Sequence, residues 1–252
     1  MLKDRIGNSV IKIASTQSTN NYASRQLAEK EVKSGTVFLA YDQTNGRGQQ
    51  NNSWESTPGK NLTFSIVLTP DFLKIEDQFM LSKVVCLGLG KFLSRQVKGV
   101  KIKWPNDMYV DNRKIAGILI EHSIVNGGLA HSILGIGLNV NQERFESDAP
   151  NPVSLVQLTG TPGDLDSLLE AVLHHIDDYY QLLKQGKHEL INQEFLERLY
   201  RMNEWHLFED DEHQFSGRII GVNHFGQLLI EDRRGNHHEY HFKQVHYVHG
   251  VA

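Results

Sequence analysis

The 252-residue chain has a single cysteine, Cys86, so it can form no disulfide bond within itself. Cys86 lies in an apolar run at residues 84–89, where a thiol most often serves as a small buried hydrophobe. A catalytic cysteine needs an electropositive and partly exposed setting. We therefore expect Cys86 in the hydrophobic core, with a catalytic thiol as the less favoured alternative.

The chain also lacks an excess of basic charge. It has 26 Lys and Arg against 30 Asp and Glu, a formal net charge of −4, whereas nucleic-acid binders usually carry a basic surplus or stripe. No uncharged run approaches membrane-spanning length, and residues 1–8 are charged and lack the apolar core of a signal peptide. These absences predict a cytoplasmic protein that binds neither DNA nor a membrane.

The most informative segment is Lys-Trp-Pro-Asn-Asp at residues 103–107, followed by Lys114 and Gly117. Pro105 prevents a helix here, and Asp111-Asn112 is a good tight-turn pair between two apolar runs. A hairpin should therefore return Lys114 to the amide and carboxylate that end the segment. An ammonium held there can meet a carboxylate or a phosphate as a compact point charge, as in a nucleotide-handling site. The alternative for the isolated segment is a surface turn with solvated charges.

A second segment, Gly46-Arg47-Gly48, lies in a polar loop between a strand-like run at residues 36–41 and Trp54. The glycines allow backbone N–H groups to approach an anion closely, and the guanidinium can donate a forked pair of hydrogen bonds to it. Many such triplets are only mobile turns, so this one gains weight only beside the other segments.

Two further polar segments lie at the expected ends of regular structure. Ser18-Thr19-Asn20 precedes a run rich in helix formers, where its simplest role is an N-cap. In the Gly-Ile-Gly-Leu-Asn-Val-Asn run at residues 135–141, the glycines permit close backbone approach at a strand end. The structural alternative for that run is a glycine-kinked strand end without a ligand.

Helical and strand-like patterns divide the chain into two parts. Strand-like runs alternate with helical stretches up to about residue 141, and β-like runs return after residue 204. Helices are predicted at residues 20–30 and 76–97, from a cap at Asp164 or Asp166 to Ile176, and at 189–199. Strands of a small barrel are predicted at residues 217–222, 227–231 and 239–242. We expect a catalytic α/β domain over residues 1–200 and a C-terminal barrel over residues 201–252.

Eight of the 13 histidines fall in the C-terminal segment. Imidazoles at strand spacing, such as His237 and His241, can share a face and so suggest a metal site. However, no cysteine and no ordered set of four ligands lies nearby, so a solvated strand face is favoured. We assign no metal ligands there.

Together and in this order, the four segments resemble those of the biotin protein ligase family. The resemblance extends from about residue 11 to residue 248, and the run from Lys103 to Gly117 is its most specific part. It implies an α/β (α+β) fold of the class II synthetase-like type, with a mixed sheet flanked by helices and a small SH3-like barrel. Because the segments begin at Ser18, we expect a ligase-only form without an N-terminal helix-turn-helix.

The resemblance implies a two-step reaction that uses ATP, biotin and nucleotide-bound Mg²⁺. The biotin carboxylate attacks the α-phosphate of ATP to give biotinyl-5′-adenylate and pyrophosphate, and a lysine of the biotin carboxyl carrier protein then attacks the acyl carbon and displaces AMP. Both steps bring negative groups together, so the site must offer cations and amide donors. The implied partner is the carrier protein of a biotin-dependent carboxylase. Exposed strands beside the hairpin at residues 108–121 also allow a homodimer.

The resemblance further implies roles for single residues. Lys114 should contact both the biotin carboxylate and the α-phosphate, Arg47 should close over bound biotin, and Asp107 should accept the proton of the acceptor lysine. The implied biotin-binding residues are Ser18, Thr19, Asn20, Gln43, Arg47, Gly48, Gln49, Lys114 and Gly117. The implied nucleotide-binding residues are Trp54, Lys103, Asn106 and Asn139, with Trp54 against the adenine.

The chain departs from the family pattern in one loop. Residues 49–52 read Gln-Gln-Asn-Asn, where many members carry a run of arginines. Arg47 is thus the only arginine of the loop, and the phosphate contacts assigned to the missing arginines are in doubt.

Two other functions fit parts of the sequence. Lipoate or octanoyl transfer to a carrier lysine uses a related fold, but octanoyl transferases need a nucleophilic cysteine. A non-catalytic module would use the barrel and the histidine-rich strands to bind a partner. The presence of Lys114, Arg47 and Asp107 argues against that module, and formation of biotinyl-adenylate distinguishes a biotin ligase from both.

Overall fold

A computed structural model describes residues 5–49, 52–146 and 151–248. Gln50, Asn51 and His249, which the sequence analysis includes, lie outside the described residues. In the described part of the chain, no helix is both long and apolar enough to cross a membrane.

The region from residue 9 to residue 138 contains a seven-stranded mixed sheet. In chain order, the strands of this region are β1 (Ser9–Thr16), β2 (Thr36–Gln43), β3 (Gly46–Arg47), β4 (Ser53–Trp54), β5 (Leu62–Leu68), β6 (Val100–Lys103), β7 (Asp107–Val110), β8 (Arg113–Val125) and β9 (Gly128–Leu138). The spatial order is β1-β2-β5-β9-β8-β7-β6, and β3 pairs with β4 in a separate ribbon. Only β1 and β2 are parallel neighbours in the large sheet as described.

The described residues contain five helices, which include all four predicted ones; the short helix at residues 155–159 was not predicted. The helices are α1 (Thr19–Glu29), α2 (Phe79–Leu93), α3 (Leu155–Thr159), α4 (Leu165–Lys184) and α5 (His188–Glu197). The helix predicted at residues 76–97 is divided, since a 3₁₀ turn at Ile75–Asp77 precedes α2. Asp164 caps α4, because its carboxylate accepts a hydrogen bond from the Ser167 backbone N–H at 2.9 Å. Ser18 occupies the N-cap position of α1, but its side chain makes no capping hydrogen bond.

Successive side chains along the strands point to opposite faces of the sheet, and helices cover both apolar faces. Val37 and Ile66, which are paired on β2 and β5, belong to the main core on the side of α2 and α4. Phe38 and Val67, the next residues along, pack with Ala23 of α1 on the opposite side. Both faces are therefore covered, which explains why β5 is buried throughout.

Gly88 allows α2 to lie very close to α4. A Cβ atom at this position would lie 2.6 Å from the Cα atom of Ile176 and 2.8 Å from its backbone nitrogen, which is closer than real Cβ contacts. Cys86 lies on the same helix and is fully buried, which confirms its predicted place in the core. The crossing thus depends on a missing side chain.

The C-terminal part is a five-stranded antiparallel sheet. Its strands are β10 (Trp205–Asp210), β11 (Gln214–Val222), β12 (Leu228–Asp232), β13 (His237–Tyr240) and β14 (Val245–Tyr247). The order is β13-β12-β11-β10-β14, and in the described residues no ladder joins β13 to β14. The predicted fold class is confirmed, whereas β10 and β14 were not predicted. His237 and His241 are exposed, and the division at residue 200 stays a prediction.

We expect Gly88→Ala to lower the free energy of unfolding by about 1–3 kcal/mol, the usual cost of overpacking a closed core. Urea denaturation measures the change. The matched control is Gly90→Ala on the same helix, where the nearest atom to a new Cβ is the Cε atom of Met108 at 3.4 Å. That control should be neutral or stabilise by about 0.5–1 kcal/mol through helix propensity. Equal effects of the two substitutions would contradict the close crossing.

Candidate active site

The predicted hairpin brings Lys114 to Asp107. A two-residue turn joins β7 to β8, with Asp111 at a φ of 53°. The Lys114 Nζ atom lies 2.8 Å from Asp107 Oδ1, and each side chain is about one quarter exposed, at 25% and 24%. The backbone of Lys114 is bound on its outer side too, since it donates to Asn151 O and accepts from Val153 N. Asp107 therefore holds the ammonium, while residues 151–153 fix the backbone that carries it.

Glycines on β8 and β9 form a floor on which two side chains lie. A Cβ atom at Gly137 would lie 2.3 Å from the Trp54 indole, and one at Gly117 would lie 3.1 Å from it. A Cβ atom at Gly135 would lie 2.3 Å from Asn20 Oδ1. We call Gly117, Gly135 and Gly137 the glycine floor, because any side chain there would displace the groups above it. The close backbone approach predicted for residues 135–141 is thus present.

The polar loop at residues 43–53, which we call the arginine loop because it carries Arg47, contacts β8 through an ion pair. Arg47 Nη2 lies 2.6 Å from Glu121 Oε2, and the two side chains are 37% and 40% exposed. The loop returns on itself, because the Gly48 N–H donates to Asn52 O at 2.6 Å. Gln49 lies in this turn, and its Oε1 atom is buried without a hydrogen-bond partner in the described residues.

A buried polar cluster lies at the start of α1. The Thr19 backbone N–H donates to Gln43 Oε1 at 2.9 Å. The Ser65 hydroxyl lies 2.7 Å from Thr19 Oγ1 and 2.6 Å from Asn20 Oδ1. Thr19 and Asn20 are 4% and 3% exposed, so these polar groups are fixed by one another rather than by solvent.

The 103–107 segment is anchored on the C-terminal sheet. The Trp104 indole N–H donates to Gly226 O at 2.8 Å, and the peptide between Trp104 and Pro105 is cis. The Lys103 ammonium lies 4.9 Å from the ring centroids of both Tyr109 and Tyr247. Burial lowers the pKa of Lys103 to about 8, although the charge of Asp107 partly opposes the decrease. The C-terminal sheet thus takes part in placing a cation beside Asp107.

These groups surround one cavity of about 590 Å³. The sequence-predicted residues that line it are Ser18, Thr19, Asn20, Gln43, Arg47, Gly48, Gln49, Trp54, Lys103, Asn106, Asp107, Lys114 and Gly117. The Asn106 side chain is hydrogen-bonded within the cavity wall, where its amide donates to Ile118 O. Asn139 is not among the lining residues; its side-chain amide donates to Val153 O at 3.0 Å, and its contact with nucleotide stays a prediction.

Several lining or supporting residues were missed by the sequence analysis. The C-terminal wall of the cavity consists of Phe242, Lys243, Val245, His246 and Tyr247. Ser65 carries a recognisable signal, because it is a polar residue within the buried apolar strand β5 and therefore needs a hydrogen-bond partner there. Glu121 carries a weaker one, as the first charged residue after the run at residues 115–120.

We expect Gly137→Ala to weaken ligand binding in the cavity, because the new methyl group displaces the Trp54 indole. Isothermal titration with ATP, whose adenine Trp54 is expected to contact, should show an affinity loss of about tenfold or more, since overpacking costs about 1–3 kcal/mol. Gly128→Ala on the same strand is the control, as the nearest atom to its new Cβ is Val125 O at 3.8 Å. Unchanged binding in Gly137→Ala would show that the indole position is unimportant.

Comparison with known proteins gives consistent matches. The model of the biotin/lipoate A/B protein ligase family matches residues 12–139, just over half of the chain. The bifunctional ligase/repressor BirA of Bacillus spizizenii is 29% identical over 231 residues, which cover 88% of this chain and 68% of that protein. The biotin--[acetyl-CoA-carboxylase] ligase of Paracoccus denitrificans is 27% identical over 231 residues, which cover 88% and 94%.

A solved structure extends the similarity to the whole described fold. The biotin protein ligase from Aquifex aeolicus in complex with biotin and ATP aligns with a TM-score of 0.79 and 26% identity, covering 96% of this chain and all of that chain. The alignment therefore includes the C-terminal sheet as well as the region matched by the family model. On the family match, supported by this fold, the chain belongs to the biotin/lipoate A/B protein ligase family.

Proposed function

We propose that the cavity carries out ATP-dependent biotinylation of a lysine on a biotin carboxyl carrier protein, through biotinyl-5′-adenylate. The observation that carries this function is the Lys114 ammonium, held 2.8 Å from Asp107 beside the glycine floor. An amine and a carboxylate at this distance supply the two things that the reaction needs, a cation for meeting anions and a proton acceptor. The enzyme is a ligase, like the relatives that it matches.

In the first step, Lys114 brings two anions together. The biotin carboxylate must approach the α-phosphate of ATP, and their repulsion opposes attack. A lysine ammonium has three N–H donors, of which Asp107 accepts from one, so the others can bridge the two substrates. Because the amine is already positioned, this stabilisation needs little reorganisation as charge builds up in the transition state.

In the second step, Asp107 receives the proton of the acceptor amine. The carrier lysine attacks the acyl carbon of biotinyl-adenylate, a C–N bond forms, and the bond from that carbon to the phosphate oxygen breaks to release AMP. The amine is a nucleophile only after it loses a proton. Asp107 lines the cavity and is one quarter exposed, which makes it accessible to an incoming side chain.

The donor set suits a Mg²⁺ ion that arrives with the nucleotide. Among the described lining residues Asp107 is the one carboxylate, and it already pairs with Lys114. Phosphate oxygens and water would supply most ligands, as Mg²⁺ prefers. When bound, the ion neutralises phosphate charge, and Asp107 is the residue that would reach it.

Octanoyl transfer through a cysteine nucleophile is disfavoured by the place of Cys86. The thiol is fully buried on α2, and burial raises its pKa, so the reactive thiolate is suppressed. Biotin chemistry needs no thiol. This leaves the adenylation route as the function that the described residues support best.

We also propose a cytoplasmic enzyme that assembles as a homodimer and does not bind operator DNA. The net charge of −4 supports the absence of DNA binding. In the described residues, the edge strand β1 of the large sheet offers unpaired backbone groups for a second subunit, whereas Ile102 of the other edge strand, β6, is already hydrogen-bonded to Arg198 and Tyr200.

We expect Lys114→Ala to reduce the adenylation rate about a hundredfold or more, which corresponds to roughly 3 kcal/mol for one preorganised donor. Single-turnover formation of biotinyl-adenylate, followed by mass spectrometry, measures this rate. Lys12→Ala is the control, because Lys12 pairs with Asp166 at an exposed position away from the cavity lining. A wild-type rate in Lys114→Ala would remove Lys114 from the mechanism.

We expect Asp107→Asn to slow transfer to the carrier more than it slows adenylation. The loss in the transfer step should be about 10²-fold to 10⁴-fold, the range for removing a general base, because only this step deprotonates an amine. Single-turnover assays of the two half-reactions, the second with preformed biotinyl-adenylate, separate these effects. Equal losses in both steps would instead make Asp107 a residue that positions Lys114.

A further inference from the structure

Glu121 joins the arginine loop to the buried floor of the cavity. One oxygen of its carboxylate, Oε2, accepts from Arg47 Nη2 at 2.6 Å and from Asn20 Nδ2 at 2.7 Å. The three residues come from β3, α1 and β8, which are far apart in the chain. A carboxylate oxygen has two lone pairs, so it can satisfy both donors together.

The hydrogen bonds continue from Asn20 into the buried polar cluster at the start of α1. The second polar atom of the Asn20 side chain, Oδ1, lies 2.6 Å from the Ser65 hydroxyl. That hydroxyl also contacts Thr19 Oγ1 at 2.7 Å, and the Thr19 backbone donates to Gln43. A continuous chain of hydrogen bonds therefore leads from Arg47 to Thr19 and Gln43, which are among the residues expected to bind biotin.

The two ends of this chain differ in burial. Asn20 is 3% exposed and Ser65 is fully buried, whereas Arg47 and Glu121 are 37% and 40% exposed. An ion pair this exposed contributes little to global stability. Its effect is instead on orientation, because the buried asparagine fixes one partner and the carboxylate then fixes the other.

Arg47 also separates two spaces. It lines the main cavity of about 590 Å³ and a second cavity of about 350 Å³, which Glu121, His122 and His131 line as well. Without the carboxylate, the guanidinium would have room to turn into the second cavity and away from the ligand. A long side chain with several rotatable bonds gains entropy by doing so.

We propose that Glu121 is a positioning residue that holds Arg47 over the main cavity and couples the orientation of Arg47 to the residues expected to bind biotin. The inference rests on the proposed function, because it assumes that biotin and its adenylate occupy this cavity. Gln49 and Asn52 bring no charge to the loop, so the direction of the one guanidinium determines how long the anionic adenylate stays bound.

The test compares Glu121→Ala and Glu121→Gln with the wild-type enzyme. Glu121→Ala should raise KM for biotin and the release rate of preformed biotinyl-adenylate about tenfold or more, the loss expected for a charged hydrogen bond. The rate of transfer from bound adenylate to the carrier at saturation should stay unchanged. Glu121→Gln should lie between, because its amide oxygen still accepts from Asn20 but lacks the charge that orients Arg47.

A double-mutant cycle identifies the route of the effect. Arg47→Ala should also accelerate adenylate release, and Arg47→Ala combined with Glu121→Ala should be no worse than Arg47→Ala alone, because Glu121 acts through Arg47. Glu231→Gln is the matched control: it breaks a comparable Arg218–Glu231 pair at 2.5 Å in the C-terminal sheet and should leave both constants unchanged.

Three results would overturn the inference. The first is wild-type KM and release rate in Glu121→Ala, and the second is additive losses in the double variant. The third concerns the case in which thermal denaturation shows that Glu121→Ala does not fold. In that case, a wild-type KM for biotin and a wild-type release rate in Glu121→Gln would show that Glu121 does not position Arg47. Failure of the wild-type enzyme to form any biotinyl-adenylate is a different outcome, because it rejects the proposed function together with the inference.

Discussion

The absence of side chains at three positions on two neighbouring strands sets the depth of the cavity. Gly135 and Gly137 of β9 and Gly117 of β8 leave room for Asn20 and the Trp54 indole to lie directly on the sheet. The buried amide of Asn20 anchors Glu121, and the indole lies beside Lys114, whose ammonium is 5.8 Å from the ring. Filling the floor would therefore disturb both the polar cluster and the Lys114 ammonium. A dense sheet offers no other place to absorb the displacement.

The cations of the cavity are kept apart by different partners. Lys114 pairs with Asp107, Arg47 pairs with Glu121, and Lys103 lies between the rings of Tyr109 and Tyr247. Only two of these three cations pair with a carboxylate, so the cavity keeps a positive bias toward the anionic substrates. Burial lowers the pKa of Lys103 to about 8, so Lys103 loses its positive charge at alkaline pH. Nucleotide phosphates would oppose that loss by favouring the protonated form.

The neutral loop at residues 49–52 gives the remaining arginine more weight. A loop with several arginines can hold an anion whichever guanidinium is in place, whereas Arg47 must be in the right orientation. Glu121 and Asn20 provide that orientation from β8 and α1, outside the loop itself. A sheet and a helix are more rigid platforms than a loop, so they fix the orientation of the guanidinium more precisely than loop residues would.

Local chemistry in the sequence determined the hairpin and four of the helices, and the family resemblance indicated 13 of the 27 described residues that line the cavity. Pro105, the Asp111-Asn112 turn and the capping Asp164 act within a few residues, so their effects can be predicted without the fold. The pairing of Asn20 with Glu121 spans 101 residues, and it depends on the register of β8 against β9 and on the entry angle of α1. Likewise, β10 pairs with β14 although three strands separate them in the chain, and β14 then brings Tyr247 to Lys103. Only tertiary structure decides such contacts, because a one-residue change of register would turn each side chain to the opposite face.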